Sequence, residues 1–432
     1  MESMHSHTPK AKMQDEHSCD VSPGYIGSCQ VCGSNDLQQI IDLGFSAPCD
    51  SLLTKSQLKE MERIYPLNLE RCRACGLVQI DYAVDPKYLF HPEYPYRSGI
   101  TEVLRKNLHG TAKQVAGKVR LGQGSLVIDI GSNDGTILEG FRDIGMKVMG
   151  VEPTNIADIA NAKGIETLKQ FFSRETVAEV RSKHGPAALV TAANVFAHVN
   201  NLSSLLNGVK ELLSDDGVFV TESHYMMNIL ETLQYDSIYH EHLRFYLLKP
   251  LIHLFRKHGF TLIDVEKIPN YGGSIRVYAQ KGIGHEPSQE VGHMIRYEEE
   301  QGAYNDQTYQ EFANKIRDSR RNLRSLIVQL NDKKKKVVGI GCPGRAVTLL
   351  TCCGLTPDLL PYIAEQSTSL KLGLYTPGTH IPVVDEERLF REQPEYALIL
   401  SWHYAEPIIA SLRKRGLKSK IIVPLPDIRI VE

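Results

Sequence analysis

Hydrophobic and polar positions follow two different periods along the chain. Short apolar runs typical of buried strands lie at residues 126–131, 147–153, 188–196 and 217–223. The segments between them, such as 154–163 and 202–213, place apolar residues at helical spacing instead. Strands separated by helices of this length predict an α/β domain built on a parallel sheet, with helices on both faces.

A second α/β series follows a change of pattern at residues 281–296, which are rich in glycine and polar residues. Residues 297–330 then show one charged, uninterrupted helical pattern, which predicts a single long helix. Strand-like runs resume at residues 333–341 and continue to 420–426. The chain is therefore expected to contain two α/β units joined by a helical connector.

Length and composition narrow the class of protein. The chain has 432 residues, and since a single core rarely exceeds about 250–300 residues, two or three domains are expected. Lys and Arg together number 49 against 51 for Asp and Glu, so no basic excess favours a nucleic-acid partner. Apolar runs stay shorter than the roughly 18 residues of a membrane span, and the first residues do not resemble a secretory signal. We expect a cytoplasmic protein with no membrane partner.

Two C-x-x-C pairs, Cys29 with Cys32 and Cys72 with Cys75, stand out among nine cysteines. Each pair is followed by glycine, which lets the chain bend so that backbone N–H groups point at the sulfurs. Four thiolates complete the tetrahedral shell of Zn²⁺ and leave no open position for catalysis. The pairs therefore predict one structural zinc site.

Together these patterns predict five parts of the chain. They are a flexible tail at residues 1–24, a zinc-binding module at 25–90, a cofactor-binding α/β domain at 91–281, a helical connector at 282–332 and a C-terminal α/β lobe at 333–432.

The sequence LVIDIGSNDG ends a predicted strand in a glycine-containing turn, and the next strand ends at Glu152. A carboxylate at that position is suited to accept hydrogen bonds from both ribose hydroxyls of a nucleoside. The turn lacks both G-x-G-x-x-G and the lysine of a phosphate loop, which favours S-adenosylmethionine, a cofactor without phosphates. The predicted cofactor-binding residues are Asp129, Gly131, Asn133, Asp134, Gly135, Glu152 and Asn194. For Asp134 alone, capping of the following helix is an equally simple role.

The segment YDSIYHEHLRFY (235–246) follows the fourth strand, on the side of the sheet where open α/β domains bind ligands. It packs Tyr239, Glu241 and His242 into four residues, an arrangement better suited to a general base with an orienting partner than to a metal site. His198 follows the third strand at the same edge. Tyr94 and Tyr96 lie between the zinc module and the cofactor domain, where a lid is expected to close on substrate.

The paired C-x-x-C-G motifs, DIGSNDGTIL, ANVFAHV, YDSIYHEH, GGSIRVYA, GIGCPGRAVTLL and TPGTHIPV occur here in that order. In this combination the chain resembles the deoxysugar C-methyltransferases from about residue 29 to 425. The resemblance implies a zinc-binding module, a Rossmann-like S-adenosylmethionine domain and a second Rossmann-like lobe. It also implies a nucleotide-linked 4-keto deoxysugar as substrate, methylated at C-3, and a monomer or weak dimer.

The resemblance also implies roles for individual residues. It makes His242 the base, places the Tyr and Glu of the same motif on Tyr239 and Glu241, and makes His198 a further active-site residue, with the substrate-side tyrosine at Tyr94 or Tyr96. Glu241 or Tyr239 is then expected to orient the base or the sugar. The implied substrate-binding residues are Gly273, Ser274, Arg276, Arg345 and His380. The chain departs from the family pattern at Tyr271, Arg345 and His403, where the family usually has His, Lys and Asn.

Two other functions are compatible with parts of the sequence. Gly339, Gly341 and Gly344 spell G-x-G-x-x-G, with Glu365 at the distance of a ribose ligand, which would suit an NAD-dependent oxidoreductase. The cysteine pairs would also suit a zinc-ribbon RNA-binding methyltransferase, although the charge balance speaks against it.

Overall fold

The structure is a computed structural model, and it describes residues 18–90, 98–99 and 102–432. The N-terminal module contains strands β1 Gly24–Tyr25, β2 Leu37–Ser46, β3 Tyr65–Cys72, β4 Val78–Ile80 and β5 Tyr82–Ala83, and the short helix α1 Pro86–Leu89. Strands β2, β3 and β4 form an antiparallel sheet. Tyr94 and Tyr96, predicted on a lid, lie outside the described residues.

Residues 18–24 pack against the central domain, which differs from the flexible tail expected through residue 24. Cys19 is fully buried. The Asp20 carboxylate accepts hydrogen bonds from the backbone N–H groups of Ser203 and Ser204, at 2.7 and 3.2 Å. These N–H groups belong to the first turn of a helix, where a carboxylate is favourable.

The central domain is built on a seven-stranded sheet. Its elements, in chain order, are α2 Glu102–Lys118, β6 Leu126–Ile130, α3 Thr136–Asp143, β7 Lys147–Val151, α4 Ile156–Ala162, β8 Thr167–Leu168, α5 Arg174–His184, β9 Ala187–Ala193, α6 Leu202–Leu212, β10 Leu213–His224, α7 Met226–Glu231, β11 Arg244–Phe245, α8 Leu248–Lys257, β12 Phe260–Ile268 and β13 Ser274–Lys281. The strand order is β12-β13-β10-β9-β6-β7-β8.

Strands β10, β9, β6, β7 and β8 run parallel, as the alternation of strands and helices predicts. All five residues of β6 are buried, as expected for a strand covered on both faces. The hairpin of β12 and β13 adds an antiparallel edge, because β13 pairs antiparallel with β10. Strand β11 is not part of this sheet. It pairs with β4 of the N-terminal module, with Arg244 opposite Gln79 and Phe245 opposite Val78.

The connector contains two helices, α9 Gln289–Glu300 and α10 Asp306–Asp332. The prediction of one uninterrupted helix over residues 297–330 is therefore wrong. Gly302 has a φ of +71°, a left-handed conformation that ends a helix at low cost only for glycine. Asn305 is extended and precedes the new helix, so the chain turns between the two. The turn itself carries no charged residue, but the charged residues on both sides of it conceal this break.

The C-terminal lobe contains β14 Val337–Ile340, α11 Ala346–Cys353, β15 Ile363–Glu365, β16 Val383–Asp385, α12 Glu387–Glu392, β17 Tyr396–Ile399, α13 Ala405–Lys414, β18 Lys420–Val423 and β19 Arg429–Val431. Its sheet has the order β16-β15-β14-β17-β18-β19, and all strands but β19 run parallel. Across the described ranges, no helix has the length and apolar character needed to cross a membrane.

Candidate active site

A cavity of about 650 Å³ lies where the N-terminal module, the central sheet and the C-terminal lobe meet. On one side it is lined by the turns that follow β6, β7, β9 and β10. On the other side it is lined by residues 343–345 after β14 and 401–404 after β17. The carboxyl ends of both parallel sheets therefore face the same space, and such edges are where open α/β sheets bind ligands.

The turn after β6 is fixed by Glu152 at the end of the neighbouring strand. Its carboxylate accepts hydrogen bonds from the backbone N–H of Asn133 at 3.1 Å and from the N–H and hydroxyl of Thr154 at 3.0 and 2.7 Å. Gly131 has a φ of +67°, and an added Cβ would lie 2.4 Å from Val195. The chain therefore needs glycine there to make this turn.

Two buried polar groups next to this turn face the cavity. Asp129 accepts a 2.6 Å hydrogen bond from the Thr191 hydroxyl, and burial raises the pKa of Asp129 to about 7. The side-chain oxygen of Asn194 is buried and has no hydrogen-bond partner among the described residues. Since a buried polar atom without a partner is costly, this oxygen is suited to accept a donor from a bound molecule.

His242 lines the cavity from the segment that links the central sheet to the N-terminal module. Its Nδ1 lies 2.7 Å from the backbone carbonyl of Ser237. Because a carbonyl can only accept, Nδ1 carries the proton and Nε2 keeps its lone pair. Burial, together with the nearby His224 and His198, lowers the pKa of His242 well below its ordinary value. The geometry therefore provides an imidazole that is ready to accept a proton.

Among the described residues, three rings lie nearest to His242, and Phe245 is farther away at 6.1 Å between centroids. The ring centroids of Tyr239, His224 and His198 lie 3.9, 4.6 and 4.8 Å from that of His242. On its other face, His198 stacks on Phe90 of the N-terminal module, with 6.2 Å between centroids.

Arg345 joins the C-terminal lobe to the segment that carries His242. Its guanidinium lies 3.3 Å from the buried carboxylate of Asp236 and donates a 3.0 Å hydrogen bond to the Gln234 side chain. The Trp402 indole N–H donates to the same Asp236 carboxylate at 2.7 Å. Ser237, which binds His242 Nδ1, is the next residue. The C-terminal lobe thus helps to fix the position of His242.

The four paired cysteines form a cluster away from this cavity. Their sulfur atoms all lie within 4.8 Å of one another, with Cys29 to Cys75 at 3.5 Å and Cys32 to Cys72 at 3.6 Å. The N–H groups of Val31 and Cys32 point at the Cys29 sulfur, each at 3.5 Å. Four thiols in this arrangement suit a closed tetrahedral zinc site.

Comparisons with known proteins agree with this architecture. Family models match a zinc-binding domain at residues 29–90, a methyltransferase domain at 96–265 and a C-methyltransferase C-terminal domain at 269–426. The C-methyltransferase NovU of Streptomyces niveus is 34% identical over 410 residues, which cover 94% of this chain and 97% of NovU. The chain belongs to this C-methyltransferase family.

Solved structures match this C-methyltransferase over a smaller part of its length. The magnesium protoporphyrin IX methyltransferase of Synechocystis PCC 6803 is 14% identical, with a TM-score of 0.32, and covers 41% of this chain and 79% of its own. The CcbJ methyltransferase of Streptomyces caelestis has the same identity and TM-score and covers 41% and 90%.

The sequence-based identification of a C-methyltransferase with an N-terminal zinc-binding module is confirmed, and so is the α/β fold class. The oxidoreductase alternative does not fit this family. At the G-x-G-x-x-G turn (339–344) that suggested this alternative, the Glu365 carboxylate accepts hydrogen bonds from the N–H groups of Cys342 and Gln366, at 2.6 and 2.9 Å.

The structure brings many of the predicted residues to the cavity wall. They are Asp129, Gly131, Asn133, Glu152, Asn194, His198, Tyr239, His242 and Arg345. Other predicted residues do not line it, namely Asp134, Gly135, Glu241, Gly273, Ser274, Arg276 and His380.

The residues outside the cavity wall have contacts of their own. Asp134 accepts hydrogen bonds from the N–H of Gly99 and the hydroxyl of Thr136, at 3.1 and 2.7 Å. Arg276 forms a buried ion pair with Glu222 at 2.7 Å. These contacts hold the turn and the sheet together.

Glu241 and His380 face the N-terminal module. Glu241 is buried beside Asp50, and burial together with that carboxylate raises the pKa of Glu241 to about 8. His380 lies 3.0 Å from Glu62. In this arrangement both residues contribute to the junction between the N-terminal module and the rest of the chain.

Sequence reasoning missed several residues that line the cavity, among them Lys371, Asp50 and His224. Lys371 is paired with Asp50 at 3.1 Å across the junction of the C-terminal lobe and the N-terminal module. Because these two residues are distant in sequence, no local pattern links them. His224 is different, since it directly follows the apolar run 217–223. Because open α/β sheets bind ligands at the carboxyl ends of their strands, its place at the cavity could have been predicted.

Proposed function

We propose that this C-methyltransferase transfers a methyl group from S-adenosylmethionine to C-3 of a nucleotide-linked 4-keto deoxysugar, through an enolate. The proposal rests mainly on His242. A buried imidazole whose Nδ1 is bound to a carbonyl lines the same cavity as the glycine-containing turn of a methyltransferase domain.

The turn after β6 has groups that fit S-adenosylmethionine. The Glu152 carboxylate is positioned to accept from ribose hydroxyls, and the free Asn194 oxygen and Asp129 are suited to the N–H groups of the ligand. Phe171 and Phe172 line the same cavity and offer apolar contact to a flat base. When bound, this cofactor supplies a methyl group on a positively charged sulfur.

A 4-keto group acidifies the neighbouring C–H bond, because the resulting carbanion is delocalised as an enolate. His242 Nε2 is the proposed acceptor of this proton, and Tyr239 orients the imidazole through ring contact. A hydrogen-bond donor stabilises the enolate oxygen, and the candidates from the sequence are His198, which lines the cavity, and Tyr94 or Tyr96, which lie outside the described residues. The main task of the protein is to hold two bound reactants in line.

The C-terminal lobe is proposed to hold the nucleotide sugar. Arg345, His403 and Tyr404 from this lobe line the cavity opposite the methyltransferase turn. This part of the cavity wall is therefore available to a second reactant, which the family resemblance identifies as the nucleotide sugar.

Purified protein incubated with S-adenosylmethionine and nucleotide-linked 4-keto deoxysugars tests this proposal. Mass spectrometry should show product heavier by one CH₂ group, and NMR should place the new methyl group on carbon 3. The matching 4-hydroxy sugars, which cannot form the enolate, serve as controls and should not react. Methylation of an oxygen, or equal reaction of the 4-hydroxy sugars, would contradict the proposal.

A further inference from the structure

The cavity contains a half-buried imidazole to which neither the family resemblance nor the comparisons assign a role. His224 is the last residue of β10, and its ring centroid lies 4.6 Å from that of His242. It lines the cavity. Within the described part of the chain, neither ring nitrogen of His224 has a hydrogen-bond partner, although Ser237 holds the Nδ1 of its neighbour His242.

We propose that His224 is a catalytic residue that donates an N–H hydrogen bond to the enolate oxygen of the sugar. This inference rests on the proposed function and adds to it the group that stabilises the developing negative charge.

Position favours His224 for this role. The oxygen of a 4-keto sugar is only two bonds from C-3, so its hydrogen-bond donor must lie next to the base that removes the C-3 proton. Of the three rings around His242, His198 is backed by Phe90 of the N-terminal module. His224 lies on the side of Tyr271, at 6.4 Å between centroids, and close enough to Arg345 to be affected by its charge. An oxygen bound at His224 therefore lies on the side of the cavity that faces Arg345.

Charge also favours a neutral donor. Burial, followed by the influence of Arg345, His198 and His403, lowers the pKa of His224 well below its ordinary value. A neutral imidazole always carries one N–H, so a donor is present at every pH at which the base is active. Once His242 has taken the sugar proton, its new positive charge disfavours protonation of His224 further.

The proton and electron balance is then complete. The covalent C–H bond at C-3 breaks, and the proton moves to His242 Nε2. The electron pair delocalises onto the C-4 oxygen. His224 donates a hydrogen bond to this oxygen and keeps its own proton. The enolate carbon next forms its bond to the methyl group while the methyl–sulfur bond breaks, so that S-adenosylhomocysteine leaves. His242 returns its proton to solvent.

Two substitutions test the inference. His224→Leu removes the donor at similar volume and should lower kcat by about 10²–10³-fold, the typical cost of losing one oxyanion donor. His224→Gln keeps an N–H donor and should retain kcat within about tenfold of wild type. Calorimetry should show unchanged affinity for S-adenosylhomocysteine in both variants, because His224 lies on the substrate side of the cavity.

The outcomes separate this inference from the proposed function. If His224→Leu keeps kcat within about threefold of wild type, or if His224→Gln is as slow as His224→Leu, His224 is not the donor. A wild-type protein that binds both ligands without transferring a methyl group would instead overturn the proposed function. If His224→Leu does not fold, His224→Gln decides alone, since a loss of about 10²-fold or more in that variant contradicts the inference.

Discussion

At the scale of single residues, Glu152 combines two tasks, because the carboxylate that fixes the turn after β6 also faces the cavity. Glu152→Ala should weaken S-adenosylmethionine binding by roughly 2–3 kcal/mol, the value of a lost pair of charge-assisted hydrogen bonds. Thr154→Val is the matched control, since it removes the hydrogen bonds of the Thr154 hydroxyl, to Glu152 at 2.7 Å and from the Ile156 N–H at 3.3 Å, and keeps the carboxylate. Calorimetry measures both, and equal affinities in the two variants would place the ribose elsewhere.

The burial of His242 makes a prediction about pH. A general base works only when unprotonated, and the pKa of His242 is lowered well below the ordinary histidine value of 6.5. The rate of methylation should therefore stay constant as the pH falls through 6.5 and decline only at lower pH. A profile of kcat against pH at saturating S-adenosylmethionine, over the range in which circular dichroism shows the fold intact, measures this, since saturation limits the effect of Asp129, whose pKa is about 7. A decline already centred at or above pH 6.5 would contradict it.

At the scale of elements, the turn that carries His242 is held from the C-terminal lobe by the Asp236–Arg345 pair. Asp236→Asn leaves Arg345 buried without its counter-charge and should lower the free energy of unfolding by about 3–5 kcal/mol. Asp318→Asn is the control, because its pair with Arg321 is exposed and should contribute less than about 1 kcal/mol. Urea unfolding of the intact protein measures both. Similar stability of the two variants would show that the buried pair does not hold the lobe.

The same elements show how far sequence reasoning reaches. Strand β6 with Asp129, the turn at Gly131 and the carboxylate of Glu152 are marked by local patterns, so their place at the cavity wall could be predicted. The segment 235–246, with His242, could be recognised as a cluster of polar and aromatic residues. Its pairing with β4 of the zinc module could not be predicted, because β11 has only two residues and shows no hydrophobic periodicity. The helix break at Gly302 was missed because a single glycine within a helical pattern is often tolerated, and charged helical stretches lie on both sides of it. Contacts such as Arg345 with Gln234, 111 residues apart, leave no local signal.

At the scale of the whole molecule, the zinc module helps to hold the segment that carries His242 in place. Strand β11, two residues after His242, pairs with β4, and β4 pairs with β3, which ends at Cys72. Cys72→Ser should therefore lose the single bound zinc ion and most of the methylation activity together.

Metal analysis and activity assays on the same preparations measure the two losses. Cys352→Ser is the control, because Cys352 lies in α11 away from the zinc cluster, and it should keep both properties. A Cys72→Ser protein that is metal-free yet fully active would show that the module does not support the site.

Proton removal by His242 is the central claim, and one comparison tests it most directly. Wild type, His242→Asn and His240→Asn are compared in the rate of methylated product formed from a nucleotide-linked 4-keto deoxysugar. His240 is the matched control, because its Nε2 lies 3.1 Å from the backbone carbonyl of Pro66 and it does not line the cavity.

His242→Asn should lose about 10²–10⁴-fold in rate while still binding S-adenosylhomocysteine, and His240→Asn should lose far less. In deuterated water with S-adenosylhomocysteine in place of the methyl donor, any exchange at C-3 seen with wild type should also disappear in His242→Asn. A His242→Asn protein that methylates within about tenfold of wild type would contradict the account.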